Sequence, residues 1–143
     1  MKRMLLFTLG AFVALVILIQ LVPFGRNHTN PPVVQEPNWD SPRTRELAVR
    51  ACFDCHSNET VWPWFSNIAP ISWLVYRDVL EGREHLNYSE WGSQRGEGSQ
   101  PGEAAEAISS GQMPPAYFLI THPYARLSDA EKQELIQGLQ NTH

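Results

Sequence analysis

The first apolar stretch is the longest in the chain. Met4 to Val22 reads MLLFTLGAFVALVILIQLV, 19 residues without a charge, with Gln20 its most polar member. At about 1.5 Å rise per residue, such a helix just crosses a hydrocarbon core of about 30 Å. Lys2 and Arg3 precede it, which predicts a cytoplasmic N-terminus and export of everything after it. A cleaved export signal is the alternative. It would have a shorter apolar run followed by a small-x-small site, whereas Pro23, Phe24, Gly25 and Arg26 follow here. The expectation is an uncleaved transmembrane anchor over 1–22, single-pass in the inner (cytoplasmic) membrane.

The polarity pattern then changes. Residues 23–40 hold Pro23, Pro31, Pro32 and Pro37 among Asn, His and Thr, the composition of a semi-extended tether in which His28 reads as plain polar linker. From 41 the pattern is helical. Ser41 can cap and Pro42 suits the first helical position, and Leu47, Ala48, Ala51, Cys52 and Cys55 recur at three- and four-residue steps. A second helix is predicted over 70–81, opened by Pro70, striped by Ile71, Leu74, Val75 and Val79, and ended by Gly82. Residues 87–102, rich in Gly, Ser and Gln, read as a surface loop. A short helix over 102–110 turns Ala104, Ala107 and Ile108 inward. A last helix over 129–140 has capping-box spacing at Ser128 and Glu131, with Leu135, Ile136 and Leu139 inward, while the terminal His143 is expected to fray. No β alternation and no internal repeat stand out. The fold class predicted is all-α, with one folded domain over 41–143.

Composition narrows the classes. At 43% hydrophobic the chain is not disordered. Beyond Lys2 and Arg3, 9 Lys and Arg face 15 Asp and Glu, a balance of about −6. No basic stripe or nucleic-acid motif is present, so nucleic acid is not an expected partner. An acidic surface suits a basic protein partner.

The two cysteines stand in Cys52-Phe53-Asp54-Cys55-His56, a C-x-x-C-H string. Its spacing matches covalent haem. Two thiols add across the two vinyl groups of the porphyrin to give thioethers, and the two-residue gap sets the sulfurs about one helical turn apart. His56 then lies beneath the iron, where a neutral imidazole is a good axial ligand. Its other nitrogen should donate to a backbone carbonyl, with the 61–70 segment the expected source. A thioredoxin-like dithiol competes but lacks the βαβ pattern, and half a zinc site competes but lacks a second cysteine pair. Chance is the third competitor. One covalent haem c and its iron are therefore the cofactor expected on Cys52, Cys55 and His56.

The segment CFDCHSNETVWPWFSNIAPISWLVYRDVLEGREHLNYSEW, followed by SGQMPPAYFLITHPYARLSDAEKQEL, resembles the small bacterial haem-binding domain family built around one C-x-x-C-H. The resemblance covers about residues 40–140. The second half is similar, more loosely, to class I cytochromes c, where a Met-Pro follows a short helix and a last helix opens with Leu-Ser-Asp. Membership implies haem binding and a small cytochrome c-like helical domain.

Met113, 57 residues beyond His56 and followed by Pro114 and Pro115, is the expected sixth ligand, a soft thioether on a stiffened loop. A core-filling methionine is the bland alternative. His85 and His122 are the competing ligands. Trp62, Trp64, Phe65, Trp73 and Tyr76 can line a haem edge or form ordinary core. Arg77, Arg83 and Arg126 are candidate propionate partners. A His/Met-ligated haem has no open position, so the expected role is one-electron transfer to redox partner proteins in the periplasm or membrane, not catalysis. An open distal site would instead suit a haem sensor or a peroxidase-like enzyme, and a structural haem module of a larger complex is a further alternative.

Overall fold

A computed structural model describes residues 1–92 and 101–143. They form seven α-helices: α1 Lys2–Ile19, α2 Pro42–Ala51, α3 Phe53–His56, α4 Ile71–His85, α5 Pro101–Ser109, α6 Phe118–Thr121 and α7 Asp129–Gln140. Short 3-10 turns cover Trp64–Asn67 and Pro123–Ala125. Among the described residues there is no strand, only an isolated parallel bridge between Gln35 and Glu90. The all-α expectation holds. Part of the loop expected over 87–102 lies outside the described residues.

The chain divides into two compact units, and the division falls within α4 after Asp78. The first unit comprises Met1–Thr29 and Trp62–Asp78. Its α1 is long and apolar enough to cross a membrane, and none of its residues is buried. The Gln20 side chain pairs with the backbone of Ala69 in both directions, at 2.9 and 3.0 Å. Gly25 adopts φ 78° with its Cα against the Ser72 carbonyl, where an added Cβ would fall 2.5 Å from that oxygen. Phe24 meets Tyr76 edge-on at 5.5 Å. His28 is not mere linker. It stacks on Trp62 at 4.5 Å, and its Nε2 lies 3.1 Å from the Ser66 carbonyl.

The second unit comprises Asn30–Val61 and Val79–His143. Ser41 caps α2 by accepting from the Thr44 N–H, with Pro42 at the first position. Leu47, Ala48 and Ala51 are buried from this helix. Helix α7 has the expected capping box: the Ser128 hydroxyl accepts from the Glu131 N–H, and the Glu131 carboxylate accepts from the Ser128 N–H. It packs on α5 and α2. Gly138 brings α7 so close to α2 that a Cβ there would strike the Thr44 side chain. Leu47, Ala48, Phe53, Leu86, Tyr88, Ala105, Ile108, Leu135 and Leu139 form the core. On α5 the deeply buried alanine is Ala105, with Ala104 and Ala107 half-buried.

Four expectations are corrected here. Gly82 does not end α4, which runs on to His85. Of its predicted stripe only Val79 is buried, while Val75 is half-buried and Ile71 and Leu74 are exposed. Leu86, Asn87, Tyr88 and Ser89 are buried and not part of a surface loop. His143 is also held: its backbone exchanges two hydrogen bonds with Asn38, at 2.7 and 3.2 Å.

Candidate functional site

Helix α2 ends at Ala51, and the backbone bends at Cys52 (φ −125°, ψ −35°) before α3 begins. The Cys52 carbonyl accepts from the N–H groups of both Cys55 and His56, at 3.1 and 2.9 Å. That single turn sets the two thiols three residues apart on one side, as neighbours on a helix surface. Both are half-buried. Burial first, then the neighbouring Cys55, pushes the Cys52 thiol up to about 12.

His56 is fixed by α4 and the residue beyond it. Its Nδ1 lies 3.0 Å from the Leu86 carbonyl. The second-nitrogen partner is thus Leu86, not the 61–70 segment, because the carbonyls left unpaired at the end of a helix are strong acceptors. Burial lowers the imidazole pKa, against the opposing pull of the Leu86 and Gly82 carbonyls, and so favours the neutral ring. With Nδ1 donating to Leu86, the neutral tautomer carries its lone pair on Nε2. The His56 carbonyl in turn accepts from the Tyr88 N–H at 2.8 Å.

Gly82 explains how α4 comes this close. A Cβ at that position would lie 2.5 Å from the Cys55 carbonyl oxygen and 3.0 Å from its carbon. Only a residue without a side chain lets the two backbones touch. The glycine marks a contact, not a helix stop.

A buried polar mesh fixes the residues that follow. The Asn58 N–H donates to the Ser89 hydroxyl at 2.9 Å, and Asn87 Nδ2 donates to Asn58 Oδ1 at 2.8 Å. Arg83 donates to the Ser57 carbonyl at 2.7 Å, to the Thr60 hydroxyl and to Asn30. Arg83, a candidate propionate partner by sequence, is thus engaged inside the fold. Within the string, Asp54 accepts from the Val61 N–H at 3.1 Å and from the Tyr124 hydroxyl. Burial, then that hydrogen bond, raises the Tyr124 phenol.

Phe53 stacks on Tyr88 at 5.6 Å, and Tyr88 on Trp91 at 5.9 Å, with Trp39 tilted against both Phe53 and Tyr88. Arg45 lies 5.7 Å over the Phe53 ring and is held by Glu36 through two contacts of 2.7 Å. Trp39 and Trp91 were not singled out by sequence, although their spacing from buried neighbours was available.

The expected distal candidates differ in setting. Met113 lies on the loop between α5 and α6, its N–H bonded to the Ala107 carbonyl and the residue as a whole 38% exposed. His122 is buried, stacks on Phe118 at 4.0 Å, and directs Nδ1 at the Phe118 carbonyl at 3.1 Å. His85, the last residue of α4, is exposed. Trp62, Trp64, Phe65, Trp73 and Tyr76 all belong to the first unit.

The donor set fits a haem. Two thiols share one turn, and the imidazole beside them has its second nitrogen held by a backbone carbonyl, the arrangement that orients a ligating histidine. Among the described residues no group of three or more His, Cys, Asp or Glu could hold a metal ion alone. A family model described as a haem-binding domain matches residues 14–141. No curated protein and no solved structure matches.

Proposed function

Because the chain belongs to the haem-binding domain family, we propose that it is a membrane-anchored c-type cytochrome that carries one electron at a time. The observation that supports this reading most is the turn Cys52–His56, with its imidazole oriented by the Leu86 carbonyl. Cys52 and Cys55 would form the thioethers and His56 Nε2 would ligate the iron. Each thioether would need only a thiol and a vinyl group, its S–C and C–H bonds replacing the thiol S–H bond and the vinyl π bond. The haem, when bound, supplies the reversible ferric–ferrous couple.

This chain's own residues do the rest. The Leu86 carbonyl keeps His56 from rotating, and Gly82 holds α4 against the attachment turn. Met113, on a loop tied to α5, would supply the second iron ligand, while His122 serves by stacking on Phe118. Two protein ligands would leave the iron closed to substrate, which suits a carrier and not an enzyme. Helix α1 anchors the protein in the inner membrane, and Lys2 and Arg3 keep its N-terminus cytoplasmic, so the haem faces the periplasmic side. Partners are redox proteins there.

Acid-acetone extraction of purified protein tests the central claim. The colour should stay with the polypeptide, whose mass should rise by one haem, and clean extraction would overturn covalent attachment. Met113→Ala should then open the ferrous protein to carbon monoxide and lower its potential. Rapid carbon monoxide binding by the unaltered protein would remove Met113 from the iron and turn attention to a sensor or peroxidase.

A further inference from the structure

The first unit carries an apolar surface that electron transfer does not explain. From Thr60 to Tyr76 the chain has no charged residue, yet Glu59 and Arg77 bound it on either side. An uncharged stretch of this length is normally core. Here much of it faces outward: Trp64 is 75% exposed, and Ile68, Ile71 and Leu74 are exposed as well. Contiguous exposed apolar surface marks an interaction site.

Its position identifies the occupant. The segment is fastened to the end of α1, not to its middle. Gln20, the residue after that helix, pairs with the Ala69 backbone, and Gly25 lies against Ser72. Phe24 packs on Tyr76, and His28 packs on Trp62 and bonds Ser66. A helix that crosses the bilayer and ends at Ile19 puts Gln20 where hydrocarbon gives way to headgroups. Residues 62–76 are then held at that depth. Trp and Tyr concentrate at this boundary because their rings prefer the apolar side and their N–H or O–H groups the wet side.

We propose that residues 62–74 form a lipid seat: Trp64, Ile68, Ile71 and Leu74 enter the interfacial layer of the same leaflet that α1 leaves. The inference rests on the reading of α1 as a membrane anchor. It adds that the first unit lies on the bilayer surface and does not float above it.

The test uses the full-length, haem-loaded protein in phosphatidylcholine vesicles containing a small share of a diazirine-bearing phosphatidylcholine. After illumination, peptide mass spectrometry locates lipid adducts. Adducts are expected on α1 and on peptides covering 62–74. In the double variant Trp64→Glu, Ile71→Glu, adducts on 62–74 should fall about tenfold relative to those on α1, since charge is disfavoured in the apolar layer. Both side chains are exposed, so the haem spectrum of the variant should be unchanged. Adducts on α1 with none on 62–74 would overturn the lipid seat and leave the anchor standing. Adducts on 62–74 undiminished in the double variant would overturn it too. No adduct on α1 would remove the anchor and the seat together.

Discussion

Single residues decide the site more than their neighbours in sequence suggest. The C-x-x-C-H string was legible because its chemistry is local: two thiols and an imidazole on one turn. Gly82 was not, since a glycine near the end of an apolar pattern reads as a helix stop, and only the folded chain shows that it faces the Cys55 carbonyl at a separation no Cβ tolerates. The Leu86 carbonyl was equally hidden, because every residue has one and nothing in a sequence says where it points. Gly82→Ala therefore carries a definite expectation. The helix-propensity gain of about 1 kcal/mol should be outweighed by displaced backbone, giving a net loss of about 1–3 kcal/mol. Thermal unfolding measures the loss. A shift in the haem spectrum, absent from a control such as Glu84→Ala on exposed α4 surface, shows that the displacement reaches His56.

Elements were legible where a cap and an apolar stripe agreed. Helices α2 and α7 met both conditions, and Ser41, Ser128 and Glu131 act as their positions promised. Helix α4 failed the stripe test because half of it belongs to the first unit, where its outward residues are apolar. Periodicity reports which face is hydrophobic but not what covers it. The cap of α7 makes a pH prediction. The Ser128 N–H, then Arg50, then the Ser128 hydroxyl hold the Glu131 carboxyl at about 2, below an ordinary 4.5. A carboxyl lowered by folding stabilises the folded state fully above its unfolded value, and that contribution is lost as pH falls from about 4.5 toward about 2. The gap in melting temperature between the natural chain and Glu131→Gln should be widest near about pH 6 and narrow by about pH 3. A gap that stays constant across this range would locate the effect elsewhere.

Over the whole molecule, charge and topology govern encounters. The acid excess after α1 follows from composition and was readable at once. The division of the chain was not, since it needs Trp62–Asp78 to associate with Met1–Thr29 across a long stretch of sequence, and composition carries no such pairing. Residues 23–40 read as a semi-extended tether, yet Val34 and Gln35 bond the Ser89 carbonyl, and Asn38 bonds His143. If acidity steers a basic redox partner, the bimolecular electron-transfer rate should fall as salt rises from about 10 to about 200 mM, because the screening length shrinks from about 30 Å to below 10 Å. Stopped-flow mixing with a basic and an acidic test cytochrome separates the cases: only the basic one should slow. Mass spectrometry of the mature chain settles the anchor, which should retain the α1 residues.

The close approach at Gly82 also has a consequence across generations. A lineage can exchange the exposed Glu84 at little cost. At position 82 every side chain displaces the Cys55 backbone, and a haem attached at Cys55 would resist that move. Descent should therefore leave the glycine as unchanged as the two cysteines and the histidine, a fourth fixed letter far downstream of the other three. Relatives gathered by the string alone, then sorted by whether they keep that glycine, should separate true descendants of this fold from chains that acquired a haem-attachment string independently.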